Sequence, residues 1–237
     1  MPKIEENKVL EQYFLNKLTE KYSKDRIGIH VSDLVYCLKE SVFRNYLKRP
    51  ASIDSLMFFL DGEQRHVGFQ GLVPQLKSED RIEKFGIICT NDLFNPDGEG
   101  TANKIIEIKT TRKKPTGELP EHYLRQGAYY CVLRGTNKFT LMTQHVNHHA
   151  IIFLDIEFSK AEMAKYKKEL LSDYKTLSSV YKMINEELKE GMSIEEIQEI
   201  VLKHVDFLPP IRDIMKWKCV FCLYNDICYP NKDKEKV

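Results

Sequence analysis

The chain has 237 residues, enough for one sizeable core with helical additions, and its 42% hydrophobic and 30% charged content fits a soluble globular protein. No apolar run approaches the roughly 18 residues needed to cross a bilayer, and the opening MPKIEENKVL lacks the apolar core of a secretory signal, which predicts a reducing, cytoplasmic setting without a membrane. The six cysteines are then unsuited to a disulfide framework, and the net charge of +1 leaves any polyanionic partner to local basic blocks such as Lys109 to Lys114.

The first third reads as helical. Residues 6 to 22 set charged faces around Leu10, Tyr13, Phe14 and Leu18. Ser32 is placed to cap a helix carrying Val35, Val42, Phe43 and Tyr46, with Cys37 in its early turns. A third helix, about 54 to 70, contains Leu60, Gly62, His66 and Phe69. The period then changes: 82 to 94 and 104 to 111 read as strands, joined by the turn-rich N-P-D-G-E-G at 95 to 100. A helix over 119 to 134 ends at Gly135, and strands 138 to 146 and 149 to 157 form a hairpin across Asn147-His148. Ser159-x-x-Glu162 is a capping box. Behind it Met163, Tyr166, Leu170, Tyr174, Leu177, Tyr181, Ile184 and Leu188 make one apolar stripe up to Gly191, the pattern of core packing rather than of a functional surface. Ser193-x-x-Glu196 opens a short helix that Pro209-Pro210 ends, and the cysteine-bearing tail reads as irregular. The order is α, then β-β-α-β-β, then α. It predicts a mixed α/β (α+β) fold in a single domain over 1–237: a helical part at 1–60, a sheet core at 61–157, and a helical, cysteine-bearing part at 158–237.

Two groups of residues carry chemistry. Cys37 near the front and Cys219-x-x-Cys222-x5-Cys228 at the back supply four thiolates, the number that a tetrahedral metal centre takes, and any shared centre would clamp the two ends of the fold together. Cys89 and Cys131 lie in apolar segments and read as ordinary buried thiols. In the middle, Glu107-x-Lys109 shares one face of a strand while Ile106 and Ile108 take the other. An isolated E-x-K is most often a surface ion pair. Here Asp92 ends the preceding strand, and two carboxylates at one strand end call for a cation, with hard oxygen ligands favouring Mg²⁺ or Mn²⁺. Gln126 and Tyr130 are one helical turn apart among apolar residues, so they either complete a buried hydrogen-bond network or reach the active end of the sheet. A lone histidine such as His66 is more often structural than a ligand, and His145, His148 and His149 at the hairpin turn read as solvated.

In chain order, Gly62-x3-His66, Asp92, Glu107-x-Lys109 and Gln126-x3-Tyr130 resemble the PD-(D/E)XK nucleases of the RecB type. With Cys37 upstream and Cys219-x2-Cys222-x-Tyr224-x3-Cys228 behind, the chain is similar over residues 32 to 229 to the iron–sulfur RecB-like nucleases. These are the CRISPR-associated exonuclease family of spacer acquisition and AddB-type nuclease domains. The resemblance implies a restriction-endonuclease-like core and a Mg²⁺- or Mn²⁺-dependent deoxyribonuclease, an exonuclease acting on single-stranded DNA or single-stranded ends. Asp92, Glu107, His66 and the Ile108 carbonyl would hold the metal. Lys109 would position or activate the attacking water, and Gln126 and Tyr130 would contact the substrate or the Lys109 neighbourhood. It implies a structural [4Fe–4S] cluster on Cys37, Cys219, Cys222 and Cys228; spacing alone also allows zinc. CRISPR integrase proteins are the implied partners, and a homo-oligomer is allowed. The other reading is a catalytically weak DNA-binding partner of an integrase complex, or a zinc-stapled nuclease of a virus or mobile element. In one respect the sequence departs from the family pattern: the metal aspartate usually follows a glycine closely, whereas Gly86 and Asp92 are six apart, so that Asp97 or Glu99 compete for the role. Asp92 is preferred because a strand holds it more rigidly.

Overall fold

Burial along each strand shows how the sheet is covered. The computed structural model describes residues 8–22, 27–96, 104–116 and 118–229. β3 (Ile87–Phe94) and β5 (Lys138–His145) are buried along most of their length, and β4 (Ile105–Thr111) is buried over its first four residues and then opens. β2 (Lys77–Lys84) and β6 (Ala150–Glu157) are largely exposed and form the margins. With the two-residue β1 (Ile29–His30) these make a mixed six-stranded sheet in the order β1-β3-β4-β5-β6, with β2 also paired to β3. β2–β3, β3–β4 and β5–β6 are antiparallel; β1–β3 and β4–β5 are parallel.

Helices cover both faces. The main core gathers α2 (Val31–Val35), α3 (Leu38–Leu47), α5 (Glu121–Arg134), α6 (Lys160–Glu187) and α7 (Ile194–Val205) with Ile87, Cys89, Ile105, Phe139 and Leu141 of the sheet. On the other face Leu93, Ile106, Ile108 and Met142 meet Phe69 of α4 (Ile53–Leu72), with Val73 and Leu76 just beyond it. Leu170, Leu177 and Ile184 on α6 are wholly buried, each contributing about 1.5–3 kcal/mol, so the apolar stripe is core. Both capping boxes form, at Ser159 and Ser193. The mixed sheet flanked by helices is as expected and is consistent with a restriction-endonuclease-like core, but among the described residues the cysteines expected to join the two ends do not form a group that could hold a metal ion. No helix among the described residues is long and apolar enough to cross a membrane.

Four expectations change. The strand read over 82 to 94 is a hairpin whose two-residue turn, Phe85 (φ 57°) and Gly86 (φ 78°), places both residues in the left-handed region. The helix expected from Ser32 is two helices. Val35, Tyr36 and Cys37 are weak helix formers, and Cys37 takes an extended conformation (φ −110°, ψ 116°) as the N-cap of α3. Asp33 holds the break in place, accepting from the His30 N–H at 2.8 Å and from Arg44 at 2.5 Å. His145, read as solvated, is buried, with Nδ1 2.9 Å from the Lys113 carbonyl; His148 and His149 are exposed. Residues 6 and 7, the Leu10 side chain and most of the 95 to 100 turn lie outside the described residues. The tail, read as irregular, is a 3₁₀ segment (Asp213–Phe221) followed by the single turn α8 (Asn225–Cys228).

Candidate active site and cysteine centre

β3 and β4 pair only at Leu93–Ile106 and Phe94–Ile105 and then splay. In the gap the Ile108 N–H donates to Asp92 Oδ2 at 2.7 Å, a side chain standing in for the missing ladder. On its other edge Asp92 also lacks a partner, because Glu79 opposite it is turned into the left-handed region (φ 50°). Gln70 fills that place, its Nε2 donating to the Asp92 carbonyl (3.1 Å) and to Glu79 Oε1 (2.9 Å). His66, one turn earlier on α4, brings Nδ1 to 3.4 Å from Asp92 Oδ1. In a strand the N–H and C=O of one residue point to the same edge, so the Ile108 carbonyl faces the same gap.

Glu107 and Lys109 lie on the α5 face of β4. Lys109 Nζ donates to Glu107 Oε1 (2.5 Å) and to Gln126 Oε1 (3.0 Å). Gln126 Nε2 donates in turn to Glu107 Oε1 (2.7 Å) and to the Tyr130 hydroxyl (2.7 Å). Gln126 and Tyr130 therefore complete a buried network around the strand residues. Glu107 is 2% exposed, and its second oxygen, Oε2, is buried with no partner. An orphaned carboxylate oxygen is costly unless something binds it. Burial and the neighbouring Asp92 push Glu107 up to about 8 against the pull of Lys109. Burial acts on Asp92 in the same sense, but His66, Lys109 and the Ile108 N–H outweigh it and hold its carboxyl below the ordinary value. Lys109 is held protonated: Glu107 and Asp92 outweigh the burial that opposes its charge.

This donor set fits a hard divalent cation, with Asp92, the free Glu107 oxygen and the Ile108 carbonyl supplying oxygen. Among the described residues no three His, Cys, Asp or Glu side chains are close enough to hold a metal ion by themselves. A cation here would rely on the carbonyl and on waters, as Mg²⁺ commonly does. Asp97 and Glu99, the competitors of Asp92, lie outside the described residues. Arg112, Lys113 and Lys114 are exposed directly beyond β4, the Arg112 guanidinium 4.7 Å over the Phe58 ring.

The four clustered cysteines line one cavity of about 210 Å³. Cys37 enters as the cap of α3, Cys219 and Cys222 from the 3₁₀ segment and its end, and Cys228 from the last position of α8. None is in a disulfide. Burial pushes the Cys222 and Cys228 thiols up to about 11, so a bound metal would be needed to make them thiolates at neutral pH. The tail also has its own hold on α3: Lys218 pairs with Glu40 (2.6 Å), and the buried Tyr224 ring lies 5.5 Å from Phe43. Arg49, just beyond α3, reaches Asp226 (2.7 Å) and the Leu223 carbonyl (2.8 Å). Cys89 and Cys131 are wholly buried in the main core, as ordinary thiols.

No family model and no curated protein matches the chain. Solved structures do. The crystal structure of SSO0001 superposes with a TM-score of 0.58 at 17% identity, covering 94% of this chain and 98% of that one. The fold is shared with SSO0001. An alkaline exonuclease (LHK-Exo) from Laribacter hongkongensis gives 0.44 at 14% identity, over 72% of this chain and 96% of that one. Its complex with dAMP gives 0.43 at 14%, over 81% and 98%. Both likenesses are too distant to bear on function.

Sequence reasoning missed Gln70 and Tyr36. Gln70 stands four residues after His66 and shares its helix face, a spacing that could have flagged it. Tyr36 approaches Lys109 and Glu107 from a distant element, which no local pattern shows.

Proposed function

We propose that this protein is a metal-dependent deoxyribonuclease of the RecB-like PD-(D/E)XK kind, hydrolysing phosphodiester bonds as an exonuclease on single-stranded DNA. The observation that carries the reading is the buried, partnerless Glu107 oxygen beside a splayed strand pair, with Asp92 and the Ile108 carbonyl in the gap and Lys109 fixed next to it. Asp92, Glu107, the Ile108 carbonyl and His66 would hold Mg²⁺ or Mn²⁺, which when bound acidifies a water and offsets charge on the scissile phosphate. Lys109 keeps its proton between Glu107 and Gln126, and so positions the water and the phosphate as a donor. Gln126 keeps Glu107 Oε1 occupied, which leaves Oε2 free for the cation. Tyr130 stays protonated, since burial and then Glu107 and Asp92 raise its phenol well above the ordinary value. Arg112, Lys113 and Lys114 would grip phosphates, so binding should weaken with salt.

The four cysteines are assigned a structural [4Fe–4S] cluster. The one-plus-three spacing of the cysteines supports this over zinc, since zinc ribbons pair two C-x-x-C turns, and all four line one cavity together with seven other residues. The setting proposed is CRISPR adaptation beside integrase proteins, on the resemblance of the combined motifs. The deciding experiment is Mn²⁺-dependent cleavage of end-labelled single-stranded DNA by wild type and Lys109→Ala, both purified without oxygen. Cleavage by wild type alone is expected. Cleavage by neither makes the binding-module reading the leading one, and equal cleavage by both places the chemistry elsewhere.

A further inference from the structure

Between the two centres lie neighbouring rings, Tyr36 among them, to which the proposed hydrolysis gives no part. Lys109 Nζ sits 5.6 Å over the Tyr123 ring, and Tyr123 meets His122 edge-on at 4.5 Å. His122 lies 5.6 Å from Tyr36 on one side and 5.6 Å from Trp217 on the other. Lys218 sits 4.3 Å over Tyr36 and also pairs with Glu40. Trp217 is 48% exposed and stands two residues before Cys219, so the cysteine-bearing segment carries it.

A single exposed aromatic is ordinary on a protein surface. Tyr123, His122 and Trp217 run as three contiguous rings from the active-site lysine to an exposed tryptophan, with Tyr36 branching from His122, and form a track. Lysines lie around the rings, Lys109 and Lys218 paired with Glu107 and Glu40 and Lys113 exposed; burial, then these lysines, push His122 down to about 4, so its ring is neutral at working pH. Neutral rings among lysines suit a chain whose charge lies on its backbone and whose bases have open π-faces. Single-stranded nucleic acid has that chemistry, while paired bases present no free face.

We infer that Trp217, with His122 behind it, is a stacking platform that takes a base of single-stranded DNA several nucleotides from the scissile bond and guides the strand toward Lys109. This deepens the nuclease reading and rests on it. It also gives the cysteine centre a second role, that of fixing the platform.

Trp217 is the sole tryptophan, so its fluorescence reports this one place. In EDTA, where nothing is cut, oligo(dT) should quench the emission saturably, and an abasic oligonucleotide of equal length should not. In cleavage assays Trp217→Ala should raise KM for oligo(dT) about tenfold, the scale of one stacked base, with less than a twofold change for the abasic strand. Trp217→Phe should restore most of the loss. Equal quenching by both strands, or equal KM shifts on both, overturns the platform while leaving the nuclease standing. Quenching by oligo(dT) alone in a protein that cuts nothing keeps the platform and removes the nuclease.

Discussion

Gly127 lies within α5, where helix propensity favours alanine by about 1 kcal/mol. The structure predicts the opposite sign. A Cβ built there would lie 2.2, 2.4 and 2.5 Å from three ring atoms of Phe139. That ring is wholly buried and stacked on Phe158 at 5.9 Å, so it has nowhere to retreat. Overpacking of this kind costs about 1–3 kcal/mol. With three ring atoms this close the cost falls in the upper part of that range, about 2–3 kcal/mol, so against the propensity gain Gly127→Ala should destabilise by about 1–2 kcal/mol net, a Tm lower by about 2–8 °C for a chain of this size. The neighbouring Gln126 touches Lys109 and Glu107, so the displaced helix should also lower cleavage. Thermal unfolding followed by circular dichroism measures the first effect and the single-stranded DNA assay the second. Adding Phe139→Leu should recover part of the stability by making room for the methyl. A Gly127→Ala protein as stable as wild type, or more so, would refute the claim that α5 is held against β5 by the absence of a side chain.

Metal-free wild type should lose stability as pH rises from about 4.5 toward 8, because folded Glu107 retains a proton that the unfolded chain has released; Glu107→Gln should flatten this slope in urea titrations at pH 5 and pH 8. Mn²⁺ should raise the Tm of wild type and leave that of Glu107→Gln unmoved; an equal rise in both would place the cation elsewhere. Tyr130→Phe removes one hydrogen bond to Gln126 and should cost only about 1 kcal/mol, whereas Gln126→Glu sets a carboxylate against Glu107 and should abolish cleavage as well. Cys89 and Cys131, wholly buried and pushed up to about 12 by burial, should resist alkylation in the native protein at pH 8 and react only after denaturation; labelling of either before unfolding contradicts the core described. Cys222→Ser should be colourless and melt several degrees lower, and a brown, equally stable variant would remove the cluster assignment.

The sequence made the core elements legible wherever one period ran long enough. The α6 stripe and its capping box, the helix ending at Gly135, and the strand bearing Glu107 and Lys109 all lie close to where the pattern put them. Breaks were harder to read. Phe85 occupies a left-handed turn position that normally announces itself with Asn or Gly, so two strands read as one. The helix through Cys37 breaks where three weak helix formers follow one another, but what holds the break is the contacts of Asp33 with Arg44 and His30, which lie beyond a single-residue preference. At the site, the E-x-K face and the Gln126–Tyr130 spacing follow from period alone. Gln70, Tyr36 and the partnerless oxygen of Glu107 depend on how separate elements meet, and so required the fold.

The docking of the tail on α3 has a consequence for how the protein is made. The six strands among the described residues are complete by Glu157, yet Phe43 acquires Tyr224, and Glu40 acquires Lys218, only after the 3₁₀ segment and α8 have left the ribosome. Until then one side of α3 is bare, and the cavity wall holding Cys37 has no opposite side. A message cut between α7 and the 3₁₀ segment would encode all the residues of the splayed-strand centre, and α6 and α7 would still pack on α3, but the Phe43 and Glu40 side of α3 would lack the tail that docks on it. Such a product would present the apolar Phe43 face and the unpaired Glu40 to solvent, as the full-length chain does until the 3₁₀ segment and α8 follow.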